Sequence, residues 1–189
     1  MNTKLLLSLL CLPLLSSLHV AQAADADQAR LEREAIEIVK KFGSTLKPEL
    51  GKAIKAGGPA HAISVCAEKA PSIARSLSLE TGWNVKRVSL KPRNAGSATP
   101  DAWEKGVLEK FDQRQASGES AATMKHAEIE DGRFRFMKAQ GVEAVCLNCH
   151  AAEIDPEVEA AIRQQYPDDK ARGYELGQIR GAFSLSRDL

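Results

Sequence analysis

The chain has 189 residues, of which 27% are charged and 43% are hydrophobic, and its formal net charge is +1. This length suits one domain with its own core. The near-neutral charge argues against nucleic acid or an anionic membrane surface as the main partner, because those partners select strongly basic surfaces.

The N-terminus has the pattern of a secretory signal peptide over residues 1–23. Lys4 supplies the positive start, residues 5–18 the apolar run, and Ala21-Gln22-Ala23 the cleavage signal. The apolar run is too short for a comfortable membrane span. The pattern predicts export to a bacterial periplasm, a mature domain over residues 24–189, and no stable membrane span after cleavage.

Helices are predicted for the first half of the mature chain. Apolar residues at helical spacing predict a helix from Asp25 to about Lys47, which Pro48 should kink or end. Gly57-Gly58-Pro59 predicts a break, because proline is well placed to open a new helix. That second helix should run to about Leu79 and close at Thr81-Gly82.

Strands and helices are mixed in the second half of the chain. The predicted strands are Trp83–Leu90, Thr123–Glu130, Arg133–Lys138 and Gly177–Ser186, and the predicted helices are Pro100–Gln115 and Pro156–Tyr166. Thr99 is the expected N-cap of the first of these helices. Asp131-Gly132 is a strong hairpin signal between the two central strands. This order predicts an α+β domain in which helices flank an antiparallel sheet.

Cys146-Leu147-Asn148-Cys149-His150 is the strongest functional motif. Two cysteines separated by two residues, with a histidine directly after the second, form the attachment pattern of a c-type haem. Each thiol becomes a thioether on one porphyrin vinyl group, and the imidazole of His150 can then bind the iron. A redox-active dithiol, half of a zinc site and chance are the alternatives. No βαβ pattern surrounds the motif and no second Cys/His pair lies at zinc spacing, so one covalent haem c is predicted.

The second iron ligand must come from upstream of the motif or be absent, because no methionine or histidine follows His150. With Cys146 and Cys149 bound to haem, Cys66 is the one cysteine of the mature chain left over. Cys66 lies on the apolar stripe of the second predicted helix, where its thiol could face a haem. We expect Cys66 to be the second axial ligand, with an inert buried cysteine as the alternative.

Four other upstream side chains are candidate ligands. His126 is the best substitute for Cys66, on a predicted strand face that it shares with Met124. His61 lies on a different side of its helix from Cys66 and is expected to be solvated. Met124 and Met137 are expected to be core residues, as methionine commonly is.

Five stretches carry a resemblance to a known family: Ala62–Cys66 with Ala70–Ala74, Arg87-Val88-Ser89 with Arg93-Asn94, Trp103-Glu104 with Phe111, Cys146–His150, and Gly173-Tyr174 with Gly177–Ala182. With these residues the chain resembles periplasmic PAS-like domains that carry one c-type haem, often described as domains of unknown function. The resemblance covers nearly the whole mature chain. It implies a PAS-like antiparallel sheet flanked by helices, and iron ligation by His150 and Cys66.

Three functions fit these residues, and no enzymatic activity is expected. Two protein ligands on the iron would leave no open position for a substrate, which argues against peroxidase or oxygenase chemistry. The resemblance favours a redox or gas sensor, since similar domains occur as extracytoplasmic sensors. A periplasmic electron-transfer cytochrome is one alternative. A five-coordinate gas-binding cytochrome of the helical-bundle type is the other, and the predicted strands count against it. A thiolate ligand favours ferric iron, so a low reduction potential is expected.

Overall fold

The structure is a computed structural model that describes the backbone of residues 14–189 and the side chains of residues 26–189. The first part of the predicted signal peptide, residues 1–13, lies outside the described residues, and so do the side chains of the rest of it. None of the helices in the described range combines the length and the apolar character needed to cross a membrane.

Helix α1 covers Leu14–Thr81 and is interrupted by a pair of glycines. Gly57 (φ −155°, ψ 21°) and Gly58 (φ 75°, ψ −179°) leave the helical conformation, which confirms the predicted break. The conformation of Gly58 is one that only glycine adopts without strain. Residues 14–56 are called the N-terminal arm below, and residues 59–81 the C-terminal arm.

Pro48 does not end the helix, which was one of the two outcomes expected for it. The N-terminal arm continues through Pro48 to the glycines. A proline inside a helix costs about 3 kcal/mol through one lost hydrogen bond and a clash. Packing of Phe42 and Leu46 into the main core offsets this cost.

Over the described residues, four strands form one antiparallel sheet in the order β1-β4-β3-β2. The strands are β1 Asn84–Val88, β2 Lys125–Glu130, β3 Arg133–Gly141 and β4 Ile179–Asp188. The remaining helices are α2 Ala95–Ala98, α3 Ala102–Ala116, α4 Leu147–His150 and α5 Pro156–Gln165, with a 3-10 turn at Ala144–Cys146. The predicted α+β architecture, an antiparallel sheet flanked by helices, is confirmed.

Two local predictions have opposite outcomes. The hairpin between β2 and β3 is confirmed, since Asp131 (φ 49°) and Gly132 (φ 73°) both have the positive φ of a type I′ turn. The prediction that Thr99 caps α3 is wrong. Asp101 is the N-cap, because it forms a capping box with Glu104 that satisfies two backbone N–H groups.

The two faces of the sheet bury different clusters. One face packs Phe134, Phe136 and Leu185 against α1, and the other packs Met124 and Met137 against α3. Ile179 belongs to the second cluster, although its strand position was expected to share a face with Phe183 and Leu185. The reason is a register shift at Gln140/Gly141, beside the start of β4. Helix α5 covers the C-terminal arm, which brings the Cys-x-x-Cys-His segment next to α1.

Candidate functional site

A cavity of about 1490 Å³ lies between α1, the sheet and the Cys-x-x-Cys-His segment. All four predicted site residues line it: Cys66, Cys146, Cys149 and His150. Cys66 comes from the C-terminal arm, and the other three come from the 3-10 turn and α4. The fold therefore brings Cys66 to the motif. In the sequence, the only link between them was that Cys66 is the cysteine left over once the motif cysteines are bound to haem.

The imidazole of His150 is held in one protonation state. Its side chain is buried, with the residue 8% exposed, and its Nδ1 lies 2.7 Å from the carbonyl oxygen of Ala171. Because a carbonyl oxygen only accepts, Nδ1 carries the proton and Nε2 keeps its lone pair, which accepts a hydrogen bond from Nε of Arg180 at 2.9 Å. Burial, followed by the charges of Arg180 and Arg93, lowers the pKa of His150 to about 2. A neutral imidazole with a fixed tautomer is the form that binds metal ions.

An ion pair behind His150 fixes the backbone around it. Arg93 donates from Nε to Oδ1 of Asp169 at 3.1 Å, and the two side chains are only 10% and 4% exposed. A terminal nitrogen of Arg93 also donates to the carbonyls of Cys149 (2.5 Å) and Ala171 (3.3 Å). Arg93 therefore connects the motif to the Ala171 carbonyl, which accepts the hydrogen bond from His150.

Sequence reasoning missed Asp169 altogether. It lies in a polar loop between α5 and β4, next to another aspartate, and nothing in its spacing relates it to the motif. Arg93 was noticed only through the family resemblance. The signal that could have found the pair is the need of a buried arginine for a buried carboxylate, which becomes visible only once the fold is known.

The thiol of Cys66 is half-buried in the wall of the cavity. Burial raises the pKa of this thiol, and the charges of Arg87, Arg180 and Arg93 act against that rise. Burial likewise raises the pKa of Cys149. An imidazole nitrogen and a thiol sulfur thus open onto one cavity. Metal ions bind the thiolate form of cysteine, and here burial opposes that form more than the guanidinium groups favour it.

The other candidate ligands lie outside the cavity. The His126 imidazole packs against the ring of Trp103 at 5.7 Å and lies 3.6 Å from Glu128, on the edge strand β2. His126 was the expected substitute ligand, and the fold does not bring it to the site because β2 is the strand farthest from β1. His61 is exposed, as expected. Met124 and Met137 are fully buried core residues, also as expected.

The structure also bears on the zinc and dithiol alternatives to a haem motif. Cys66, Cys146 and Cys149 are free thiols, and within the described side chains no three His, Cys, Asp or Glu residues converge on a metal-sized point. The motif follows β3 through a 3-10 turn and is not preceded by a strand of a parallel βαβ unit, as a thioredoxin-like dithiol would be.

Comparisons with known proteins agree with this fold. The sequence model of the Tll0287-like family matches residues 18–187. No curated protein matches the chain. Among solved structures, the crystal structure of the cyanobacterial heme-protein Tll0287 superposes with a TM-score of 0.62 at 24% sequence identity, covering 82% of this chain and 95% of that one. The chain belongs to the Tll0287-like family.

Proposed function

We propose that this protein binds one haem c in the cavity, attached covalently through Cys146 and Cys149, with His150 as an iron ligand. The observation that carries the proposal is the state of His150, which holds its proton on Nδ1 and keeps an Nε2 lone pair beside the two cysteines of the attachment motif. The solved structure with the same fold is itself described as a heme-protein.

The residues of the cavity fit this group. A volume of about 1490 Å³ exceeds the roughly 300–1,000 Å³ of most small-molecule pockets, so a macrocycle has room. Apolar side chains of both arms, such as Phe42 and Ile63, contribute to its walls. An iron bond to Nε2 of His150 would replace the hydrogen bond from Arg180. Once bound, haem supplies an iron that cycles between the ferric and ferrous states.

We assign the second axial position to Cys66. The support is that its thiol opens onto the same cavity as His150, beside three arginines whose charges act against the rise that burial gives its pKa. An anionic sulfur donor stabilises ferric iron more than ferrous iron. The proposed protein therefore has a lower reduction potential than a cytochrome with a neutral methionine ligand.

With both axial positions taken by the protein, the proposed role is a redox or gas sensor and not an enzyme. Reduction would weaken the bond to the anionic sulfur, and release of Cys66 would open a position for a small gas. The export pattern of residues 1–23 supports a periplasmic site of action, where covalent attachment takes place in bacteria. The PAS-like description of the domain rests on the sequence resemblance.

One observation favours an electron carrier as the second candidate. Val145 and Leu176 line the cavity and are both exposed, so two apolar side chains lie where its wall meets solvent. Exposed apolar patches of this kind commonly receive partner proteins. A redox partner could dock there and exchange an electron with the haem edge.

The test is expression of the full chain, with its leader, beside a c-type maturation system. We expect one haem per chain that survives denaturation, and its loss in the Cys146→Ala/Cys149→Ala variant. A colourless protein with two free thiols in the motif would refute the proposal. Binding of carbon monoxide to the ferrous form separates the two roles: a sensor should take it up with release of Cys66, whereas a carrier should stay six-coordinate.

A further inference from the structure

Two arginines on paired strands face the cavity without a carboxylate partner among the described residues. Arg87 lies on β1 and Arg180 at the start of β4. The guanidinium of Arg87 lies 5.1 Å from the ring centroid of Phe42, a cation–π contact that holds it in place. The side chain of Arg180 makes one hydrogen bond, to His150. Both groups are therefore positive charges that no carboxylate of the described chain neutralises.

The rest of the cavity wall does not supply the missing negative charge. Of the described residues that line it, nine are basic and two are acidic. One acid, Glu143, is bound to Lys47 at 2.5 Å, and the other, Asp112, is exposed on α3. Partly buried charge without a partner is costly, and two like charges near each other increase that cost. A ligand that carries negative charge would remove it.

The iron bond proposed above strengthens the case for a negatively charged ligand beside these arginines. Ligation through Nε2 of His150 takes the lone pair to which Arg180 donates, so that Arg180 loses its one acceptor in the cavity. A planar guanidinium binds a carboxylate through two parallel hydrogen bonds, which is its preferred pairing. A ligand with two carboxylates offers one for Arg180 and a second for Arg87.

We propose that Arg87 and Arg180 bind the two carboxylates of a single dicarboxylate ligand, which on the proposed function are the two propionate groups of haem. This inference rests on that function and adds to it the residues that orient the macrocycle. The sequence motif fixes only the vinyl side of the porphyrin, whereas the arginines fix the propionate side.

The backbone between the two arginines sets their spacing. A Cβ at Gly181 would lie 2.3 Å from the carbonyl oxygen of Val88, so β4 can pass this close to β1 only because position 181 is glycine. The hydroxyl of Ser89 then donates to the carbonyl of Arg180 at 2.6 Å. The residue that directly follows the strand of Arg87 thus holds the backbone of Arg180.

The experiment compares two porphyrins that differ only in their carboxylates. The full mature chain with Cys146→Ala/Cys149→Ala is titrated with haemin and with haemin dimethyl ester, followed by Soret absorbance. We expect haemin to bind roughly tenfold or more tightly than the ester, since charged hydrogen bonds of this kind are strong. Adding Arg87→Gln or Arg180→Gln should reduce that ratio several-fold. Arg133→Gln is the matched control, because Arg133 is exposed on β3 and pairs with Asp188 outside the cavity.

The outcomes separate this inference from the proposed function. Equal binding of haemin and its ester, or an unchanged ratio in the arginine variants, would overturn the carboxylate site and leave haem binding intact. Failure of both porphyrins to bind this variant would count against the carboxylate site, whereas the proposed function is overturned only if the native chain, expressed with the maturation system, carries no covalent haem. The covalently loaded protein gives a second measurement: Arg87→Gln should lower the reduction potential relative to Arg133→Gln, because an unneutralised propionate stabilises ferric iron. Equal potentials in the two variants would count against the site.

Discussion

Replacing Asp169 by asparagine removes one charge from the ion pair behind His150 and keeps the size of the side chain. In the native protein Asp169 receives Nε of Arg93 at 3.1 Å and the backbone N–H of Ala171 at 3.0 Å. It also pairs with Arg172 at 3.2 Å. The substitution leaves Arg93 as a buried cation whose remaining acceptors are neutral carbonyls.

The expected cost follows from burial. With the two side chains 10% and 4% exposed, the pair belongs to the buried class, in which removal of one partner costs about 3–5 kcal/mol. The asparagine oxygen still accepts one hydrogen bond, so we expect the lower end, about 3 kcal/mol. The Arg133–Asp188 pair is the matched control, because its side chains are 55% and 79% exposed. Asp188→Asn should cost about 1 kcal/mol or less.

Equilibrium urea unfolding of both variants beside the native protein measures these costs, provided that the slope of free energy against urea stays constant. The haem-loaded Asp169→Asn protein should also show a perturbed ferric spectrum, because Ala171 then orients His150 less firmly. The reasoning is refuted if Asp169→Asn costs no more than Asp188→Asn. In that case the contacts behind His150 would be no stronger than a solvated surface pair.

Four further substitutions test other parts of the structure. Cys66→Ala should abolish the low-spin ferric spectrum of six-coordinate haem and raise the reduction potential; an unchanged spectrum would remove Cys66 from the iron. Gly181→Ala should destabilise the fold by about 1–3 kcal/mol, because its Cβ would meet a carbonyl of β1 at 2.3 Å. Gly106→Ala in α3, where nothing lies within 4 Å, should instead stabilise it by about 0.5–1 kcal/mol in the same urea assay. Asp101→Ala should cost about 1 kcal/mol at neutral pH through loss of the α3 cap.

The last of these costs should depend on pH. Burial raises the pKa of Asp101, but hydrogen bonds from the backbone of Glu104 and from Arg135 outweigh it, so the net pKa is below the ordinary 3.8. A carboxyl with a depressed pKa in the folded state stabilises the protein above its unfolded pKa, and this stabilisation is lost as the pH falls through the folded value. The difference between native protein and Asp101→Ala should therefore shrink below about pH 4. A constant difference across that range would show that the charge does not contribute.

Patterns local in sequence predicted the fold well. The alternation of Phe134 and Phe136, the Asp131-Gly132 turn and the Gly57-Gly58-Pro59 break each depend on a few neighbouring residues, and each occurs where it was expected. The errors came from competition between neighbours. Thr99 is a good capping residue, but its hydroxyl donates to Ala95 in α2, and Asp101 forms the better capping box. The capping preference of one residue, taken alone, does not show which of two neighbouring candidates will cap the helix.

The part of the candidate site that is local in sequence was also the part that could be predicted. Cys146, Cys149 and His150 were found because their chemistry requires adjacency in sequence, and Cys66 because it was the cysteine left over. His126 was the expected substitute for Cys66, and only the strand order shows that it lies on the far edge of the sheet. The Arg93–Asp169 pair and the Arg87/Arg180 pair join segments far apart in the chain, so only the tertiary structure relates them.

The charges of the cavity also bear on how haem and folding are coupled. Without a ligand, the domain keeps Arg87 and Arg180 close together with no carboxylate to neutralise them, and the walls of the cavity come from both arms of α1, the sheet and α4. A ligand that binds the folded state alone adds its binding free energy to stability. Because α1, the sheet and α4 all contribute to this cavity, that gain should stabilise all three together. The haem-free chain should therefore unfold at a lower urea concentration than the haem-loaded chain. Arg87→Gln removes one of the two like charges, so it should stabilise the haem-free form and reduce the difference between the two urea midpoints.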